Sequence, residues 1–245
     1  MHLLIDVGNS RIKWQYVLDD YQNELQTHYG LLSDLAGFIK ALDPKKIDVS
    51  LAAVNQTEQL ENLLSGEGFK SIKSAQSESY RLGLKNSYTH PERMGVDRWL
   101  AMIAAYSQIK NQTKAKGFIV VDAGSALTID VVDEKGQHQG GYIVPGLLMA
   151  QEALFANTEQ VIQYNESVEE TASNIDYHKL GNNTLQCVEY GVVNQMVAMV
   201  KFLIDEYPDY KVFFTGGDGA MLADYLKTGT VDKDLVLKGL WQVRN

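Results

Sequence analysis

The sequence is poor in cysteine. Cys187 stands alone in 245 residues, so no intrachain disulfide can form and a disulfide scaffold is excluded. No uninterrupted apolar run reaches the roughly 18 residues of a membrane span, so no membrane is expected as a partner. Basic residues are also in short supply. Lys and Arg total 22 against 31 Asp and Glu, a net charge of −9, which argues against a broad nucleic-acid surface. The five histidines, at 2, 28, 90, 138 and 178, are scattered, and with one cysteine there is no zinc spacing. The opening Met1 to Asp6 has no basic n-region and too short an apolar stretch for a signal peptide, so a cytoplasmic location is expected. What remains is ordinary: 45% hydrophobic and 22% charged residues, near the globular average. A chain of this length buries on the order of 70% of its unfolded surface and needs no staple.

The first strong pattern is Leu3-Leu4-Ile5-Asp6-Val7-Gly8-Asn9-Ser10-Arg11-Ile12-Lys13-Trp14. An apolar run meets Asp-x-Gly-Asn, then Ile12, Trp14 and Tyr16 alternate, which reads as strand, turn, strand. Periodicity predicts a helix over Leu31–Leu42 with Ser33 as its cap, a strand over Ile47–Val54, and helices over Thr57–Leu64 and Trp99–Ile109. Phe118 to Val132 then repeats the opening. Setting Asp6 on Asp122 sets Gly8 on Gly124 and Asn9 on Ser125, an offset of nearly half the chain. Gly140 to Gly146 reads as a strand entering a helix, Thr184–Tyr207 as a long helix, and Val212–Phe214 as a strand ending at Thr215-Gly216-Gly217. Met221–Leu226 is helical in pattern, and Asn157–Asn183 reads as loop with a short helix. The expected architecture is α/β, with two duplicated lobes, residues 1–112 and 113–245. Each would be a mixed sheet with flanking helices beside a central cleft, where ligands bind beyond the strand ends.

Three constellations carry chemistry. A turn with Gly8 and Asn9 offers backbone N–H groups to an anion; Lys13 adds charge and Asp6 suits a hydrated Mg²⁺. The alternative is a plain hairpin turn. Asp122 to Ser125 repeats this turn with a hydroxyl, either as a second phosphate turn or as a preserved structural one. In Gly95-Val96-Asp97-Arg98, Asp97 precedes the predicted helix and reads first as its N-cap. It also suits proton acceptance from a hydroxyl, with the Arg98 fork on a carboxylate or phosphate.

In this order, Asp6-x-Gly8-Asn9-Ser10-x-x-Lys13, Gly95-Val96-Asp97-Arg98, Asp122-Ala123-Gly124-Ser125-Ala126-x-Thr128-x-Asp130, Gly140-Gly141-x-Ile143-x-Pro145-Gly146 and Thr215-Gly216-Gly217 resemble the type III pantothenate kinase family. That family lies in the actin, Hsp70 and acetate kinase superfamily. The resemblance implies ATP-dependent phosphorylation of pantothenate, with ATP and Mg²⁺ at Asp6, Val7, Gly8, Asn9, Ser10, Arg11, Ile12 and Lys13. It implies Asp97 as proton acceptor, and Tyr88, Gly95, Val96, Arg98 and Thr184 around pantothenate. Asp122 would hold a monovalent cation, potassium or ammonium, and Ser125 would contact ATP. A homodimer is also implied, with the helix from Thr184 at its interface. Many members have threonine where Ser125 stands; the hydroxyl is kept. Two rival readings are a superfamily kinase acting on another hydroxylated acid or sugar, and a non-catalytic ATP-binding transcriptional accessory factor.

Overall fold

The computed structural model describes residues 1–9, 11–18, 26–53, 58–110, 115–156 and 178–244. Its first sheet is built on a hairpin, β1 (His2–Val7) paired antiparallel to β2 (Ile12–Val17), with Asp6 opposite Lys13 and Ile5 opposite Trp14. β3 (Thr27–Gly30) adds antiparallel to β2, while β4 (Asp48–Ala53) and β5 (Ser71–Ser74) add in parallel, giving the order β3-β2-β1-β4-β5.

Strand alternation divides this sheet into two unlike faces. Leu3, Ile5, Ile12, Trp14, Val49 and Leu51 pack with Leu35 and Ile39 of α1 (Leu32–Ile39) and Leu60 and Leu64 of α2 (Glu58–Gly66). The opposite face carries Asp6, Lys13 and Gln15. It also meets α7 (Leu235–Val243), through Thr27, whose hydroxyl accepts from Gln15 Nε2 (2.7 Å) and donates to Asp234 at the start of α7 (2.8 Å).

Between α2 and the second sheet lie the short hairpin β6 (Tyr80–Arg81) and β7 (Leu84–Lys85), then α3 (Val96–Ile109), which packs against α7. The second sheet comprises β8 (Gly117–Ala123), β9 (Ala126–Asp133), β10 (His138–Pro145), β11 (Lys211–Thr215) and β12 (Thr230–Val231), in the order β10-β9-β8-β11-β12. Its helices are α4 (Leu147–Ala156), α5 (Thr184–Glu206) and α6 (Gly219–Leu226). Both sheets therefore run third, second, first, fourth, fifth strand, the order a duplicated lobe requires.

Several local expectations change. Ser33 does not cap α1. Its N-cap is Leu31, and Asp34 reaches back to accept the Leu31 N–H at 2.8 Å, the return half of a capping box. Helix α3 starts at Val96, three residues before the Trp99 of the predicted start, with Gly95 as N-cap. The second turn does not repeat the first: β8 and β9 are separated by two residues, Gly124 and Ser125, and β1 and β2 by four. Strands β3, β5 and β12, the β6–β7 hairpin and helix α7 were not anticipated. Ser10, Val54, Thr57 and most of Asn157–Asn183 lie outside the described residues.

The compact units and the expected halves divide the chain differently. One unit comprises Met1–Phe118, Asp130–Gly140 and Asp234–Asn245; the other comprises Ile119–Ile129 and Gly141–Lys233. Helix α5 is long and apolar enough to cross a membrane by length and composition, yet Val192, Val193, Met196, Val197, Val200 and Leu203 are buried within the fold.

Candidate active site

In the first unit, Asp6 ends up beside Lys13 because their strands pair in that register, which sets a carboxylate and an ammonium next to each other on one sheet face. Asp6 is 8% exposed. Tyr29 lies opposite Lys13 on β3, and its ring lies 5.7 Å from the Arg11 guanidinium. The Gly8 N–H, expected to face an anion, instead donates to the Arg11 carbonyl at 3.2 Å and closes the turn. Lys13, opposite Asp6 in the register, still supplies a positive charge beside the turn. Among the described residues no group of three or more His, Cys, Asp or Glu is placed to hold a metal. A single carboxylate such as Asp6 still suits Mg²⁺, which keeps several waters and shares its coordination with phosphates.

Asp97 occupies the second position of α3, not the cap. One oxygen, Oδ1, accepts the Arg98 backbone N–H at 2.8 Å, which fixes the carboxylate at the helix start. The second oxygen has no hydrogen-bond partner among the described residues. A Cβ at residue 95 would come within 2.6 Å of Asp97 Oδ1, so glycine there leaves the carboxylate its room.

Arg98 was expected to offer its fork to a ligand. The fork is already taken. Nε and Nη2 donate to the two oxygens of Asp130 at 2.9 and 2.6 Å, and Nη1 donates to the Tyr88 hydroxyl at 2.9 Å. Asp130 in turn contacts His138 Nε2 at 2.9 Å, and His138 Nδ1 contacts Ser87 Oγ at 2.9 Å. Arg98 is 5% exposed, and Asp130 and His138 are 1% exposed. Burial pushes the Asp130 carboxyl up, but the hydrogen bonds from His138 and Arg98 outweigh it and hold it below its ordinary value. Burial lowers the Arg98 affinity for its proton, and Asp130 more than reverses this, so the guanidinium is held still more firmly charged. Tyr88, Gly95, Val96, Asp97 and Arg98 are thus gathered around one helix start. In the sequence Asp130 stands out only as part of a motif, His138 only as one of five scattered histidines, and Ser87 not at all. A usable signal existed: an aspartate inside the apolar strand Ile129-Asp130-Val131 needs a buried cation to tolerate its burial.

In the second unit, the turn after Asp122 is held by close backbone packing. Gly124 N–H donates to the Ala126 carbonyl (3.0 Å), Gly146 N–H to the Ser125 carbonyl (3.0 Å), and Asp218 N–H to the Ala123 carbonyl (2.9 Å). A Cβ on Gly146 would come within 2.1 Å of the Gly124 carbonyl oxygen. Gly216 has φ of +83°, and a Cβ there would come within 2.4 Å of Ala123 O and 2.5 Å of Asp122 Oδ1. The motifs around Asp122, Pro145-Gly146 and Thr215-Gly216-Gly217 therefore meet as one cluster of turns. Beside them Thr215 is 1% exposed, and its hydroxyl has no hydrogen-bond partner among the described residues. A buried, unanswered hydroxyl next to backbone brought close by glycines suits a polar ligand at these turns. Thr184 is the first residue of α5, capped by Asn183, whose side chain accepts the Gln186 N–H at 3.0 Å.

Two five-stranded mixed sheets of equal strand order define a duplicated α/β fold. A 2-dehydro-3-deoxygalactonokinase from Sinorhizobium meliloti shares that fold, with a TM-score of 0.60 at 11% identity over 98% of this chain and 97% of its own. Residues 2–206 match the type III pantothenate kinase family. Curated members from Teredinibacter turnerae (34% identical, 98% of this chain and 97% of theirs) and Dichelobacter nodosus (31%, 98% and 96%) align over nearly full length. A solved structure from Campylobacter jejuni, named as a Baf family transcriptional activator, is 26% identical with a TM-score of 0.60, covering 98% of this chain and 95% of that one. The chain belongs to the type III pantothenate kinase family.

Proposed function

We propose that this protein transfers the γ-phosphoryl group of ATP to the primary hydroxyl of pantothenate, giving 4'-phosphopantothenate at the entry to coenzyme A biosynthesis. Family membership over nearly the whole chain carries the reading, and the fixed Asp97 carboxylate supports it. Phosphoryl transfer passes through a loose transition state that leaves the protein mainly positioning and charge neutralisation. Mg²⁺ bound with the nucleotide would offset charge on the phosphates. Asp6 and the Asp6–Lys13 turn, from Val7 to Ile12, would hold the triphosphate, with Lys13 adding a further positive charge. Asp97, anchored through Oδ1, would accept the hydroxyl proton at Oδ2. Tyr88, Gly95, Val96, Arg98 and Thr184 would surround pantothenate, Ser125 would contact ATP, and Asp122 would hold potassium or ammonium. The working form would be a cytoplasmic homodimer, bound to neither nucleic acid nor membrane. Helix α4 supports the dimer: it is apolar, yet none of its residues is buried.

ADP release from ATP and Mg²⁺ with pantothenate tests the reading, run in potassium or ammonium and again in sodium. Turnover that requires pantothenate and collapses in sodium is the expected result. Equal turnover in every salt removes the cation from Asp122 and keeps the kinase. Asp97→Asn should lower kcat by about 10²-fold, the scale of a lost general base; near-normal turnover would remove Asp97 from that role. The name of the Campylobacter jejuni protein favours one second reading, a nucleotide-binding regulator, in which no acceptor elicits ADP release.

A further inference from the structure

We infer that His138 and Asp130 are positioning residues for the acceptor substrate, and that the line Ser87–His138–Asp130–Arg98–Tyr88 sets which hydrogen bonds the acceptor can receive. The inference rests on the pantothenate kinase reading. Asp130 is ionised and can only accept. His138 Nε2 must therefore donate to it at 2.9 Å, and in the neutral ring Nδ1 then accepts from the Ser87 hydroxyl at 2.9 Å. On the other side, Asp130 takes Nε–H and one Nη2–H of Arg98, and Tyr88 Oη accepts one Nη1–H.

Every bond along this line runs toward Asp130 or Tyr88. Tyr88 Oη, having accepted, keeps its own proton to give. Arg98 keeps one N–H on each terminal nitrogen. The half-buried Tyr88 and the buried Arg98, next to Asp97, thus present donors only. A donor-only surface suits an acceptor-rich ligand, such as a carboxylate, an amide carbonyl or a hydroxyl oxygen, and penalises a cation. His138 touches none of this ligand. Its part is to hold the Asp130 carboxylate, at 1% exposure, in the plane that the Arg98 fork needs.

Steady-state kinetics of the full-length enzyme test this with His138→Phe, which keeps the ring volume and removes both hydrogen bonds, and His138→Gln, which can restore a donor and an acceptor. The expected result for His138→Phe is a KM for pantothenate raised about tenfold, the loss of a hydrogen bond to a charged group, with KM for ATP unchanged. His138→Gln should recover most of that loss. Unchanged pantothenate KM in His138→Phe overturns the inference. So do equal rises in both KM values or a fall in kcat alone, because a merely structural role would give either. Wild-type protein inert toward pantothenate overturns the underlying reading instead, and this inference falls with it.

Discussion

At the scale of single residues, the protein concentrates its polar burial in Asp130. Replacing it with asparagine leaves the Arg98 cation buried without its counter-charge, and Asp130→Asn should cost about 3–5 kcal/mol of stability in denaturant unfolding. The pH dependence has a definite sign. The folded carboxyl is held below its unfolded value, so its contribution is complete above about pH 4 and is lost as pH falls through the lower folded value. Wild type should lose stability over that acid range, and Asp130→Asn should lose less of it, as chemical denaturation at stepped pH will record. In the sequence, the Gly95-Val96-Asp97-Arg98 motif singles out Asp97 and Arg98, and the family resemblance adds Tyr88. Neither marks His138, because an isolated histidine in a polar stretch, Gln137-His138-Gln139, has no periodic signature; only the fold brings it to Asp130.

At the scale of elements, helices α3 and α7 pack closely enough that a Cβ at Gly239 would come within 2.0 Å of the Leu100 carbonyl oxygen. Gly239→Ala forces one backbone away from another and should destabilise the fold by about 1–3 kcal/mol, read as a lower urea midpoint. The same glycine helps explain why α7 escaped sequence analysis. It weakens helix propensity in the middle of Leu235–Val243. Helices with one apolar face, such as α1, were legible, although their ends were not. Their caps depend on side-chain geometry, such as Asp34 reaching Leu31, that spacing alone does not reveal. Gly216→Ala should likewise be costly, because φ of +83° and the nearby Ala123 carbonyl both oppose a side chain. Thermal unfolding should show a reduced Tm.

At the scale of the whole molecule, the duplication was legible because two Asp-x-Gly turns lie half a chain apart, and the shared strand order bears out the two mixed sheets. The unit boundaries were not legible, since they depend on contacts rather than on composition. The proposed homodimer makes a prediction at this scale. In the second unit, Tyr142 and Ile143 of β10 and Leu148, Met149 and Leu154 of α4 are exposed apolar residues. Leu148→Glu should shift the protein from dimer to monomer in light scattering coupled to size exclusion, with its circular dichroism retained; a persistent dimer would move the interface elsewhere. The split of the first unit into three chain segments has a further consequence during synthesis. Its sheet can begin to form early, but the face that receives α7 stays uncovered until residues 235–243 leave the ribosome. Stalled translation in the last part of the chain would therefore present chaperones with an open apolar surface on α3, even though most of the protein had already been made.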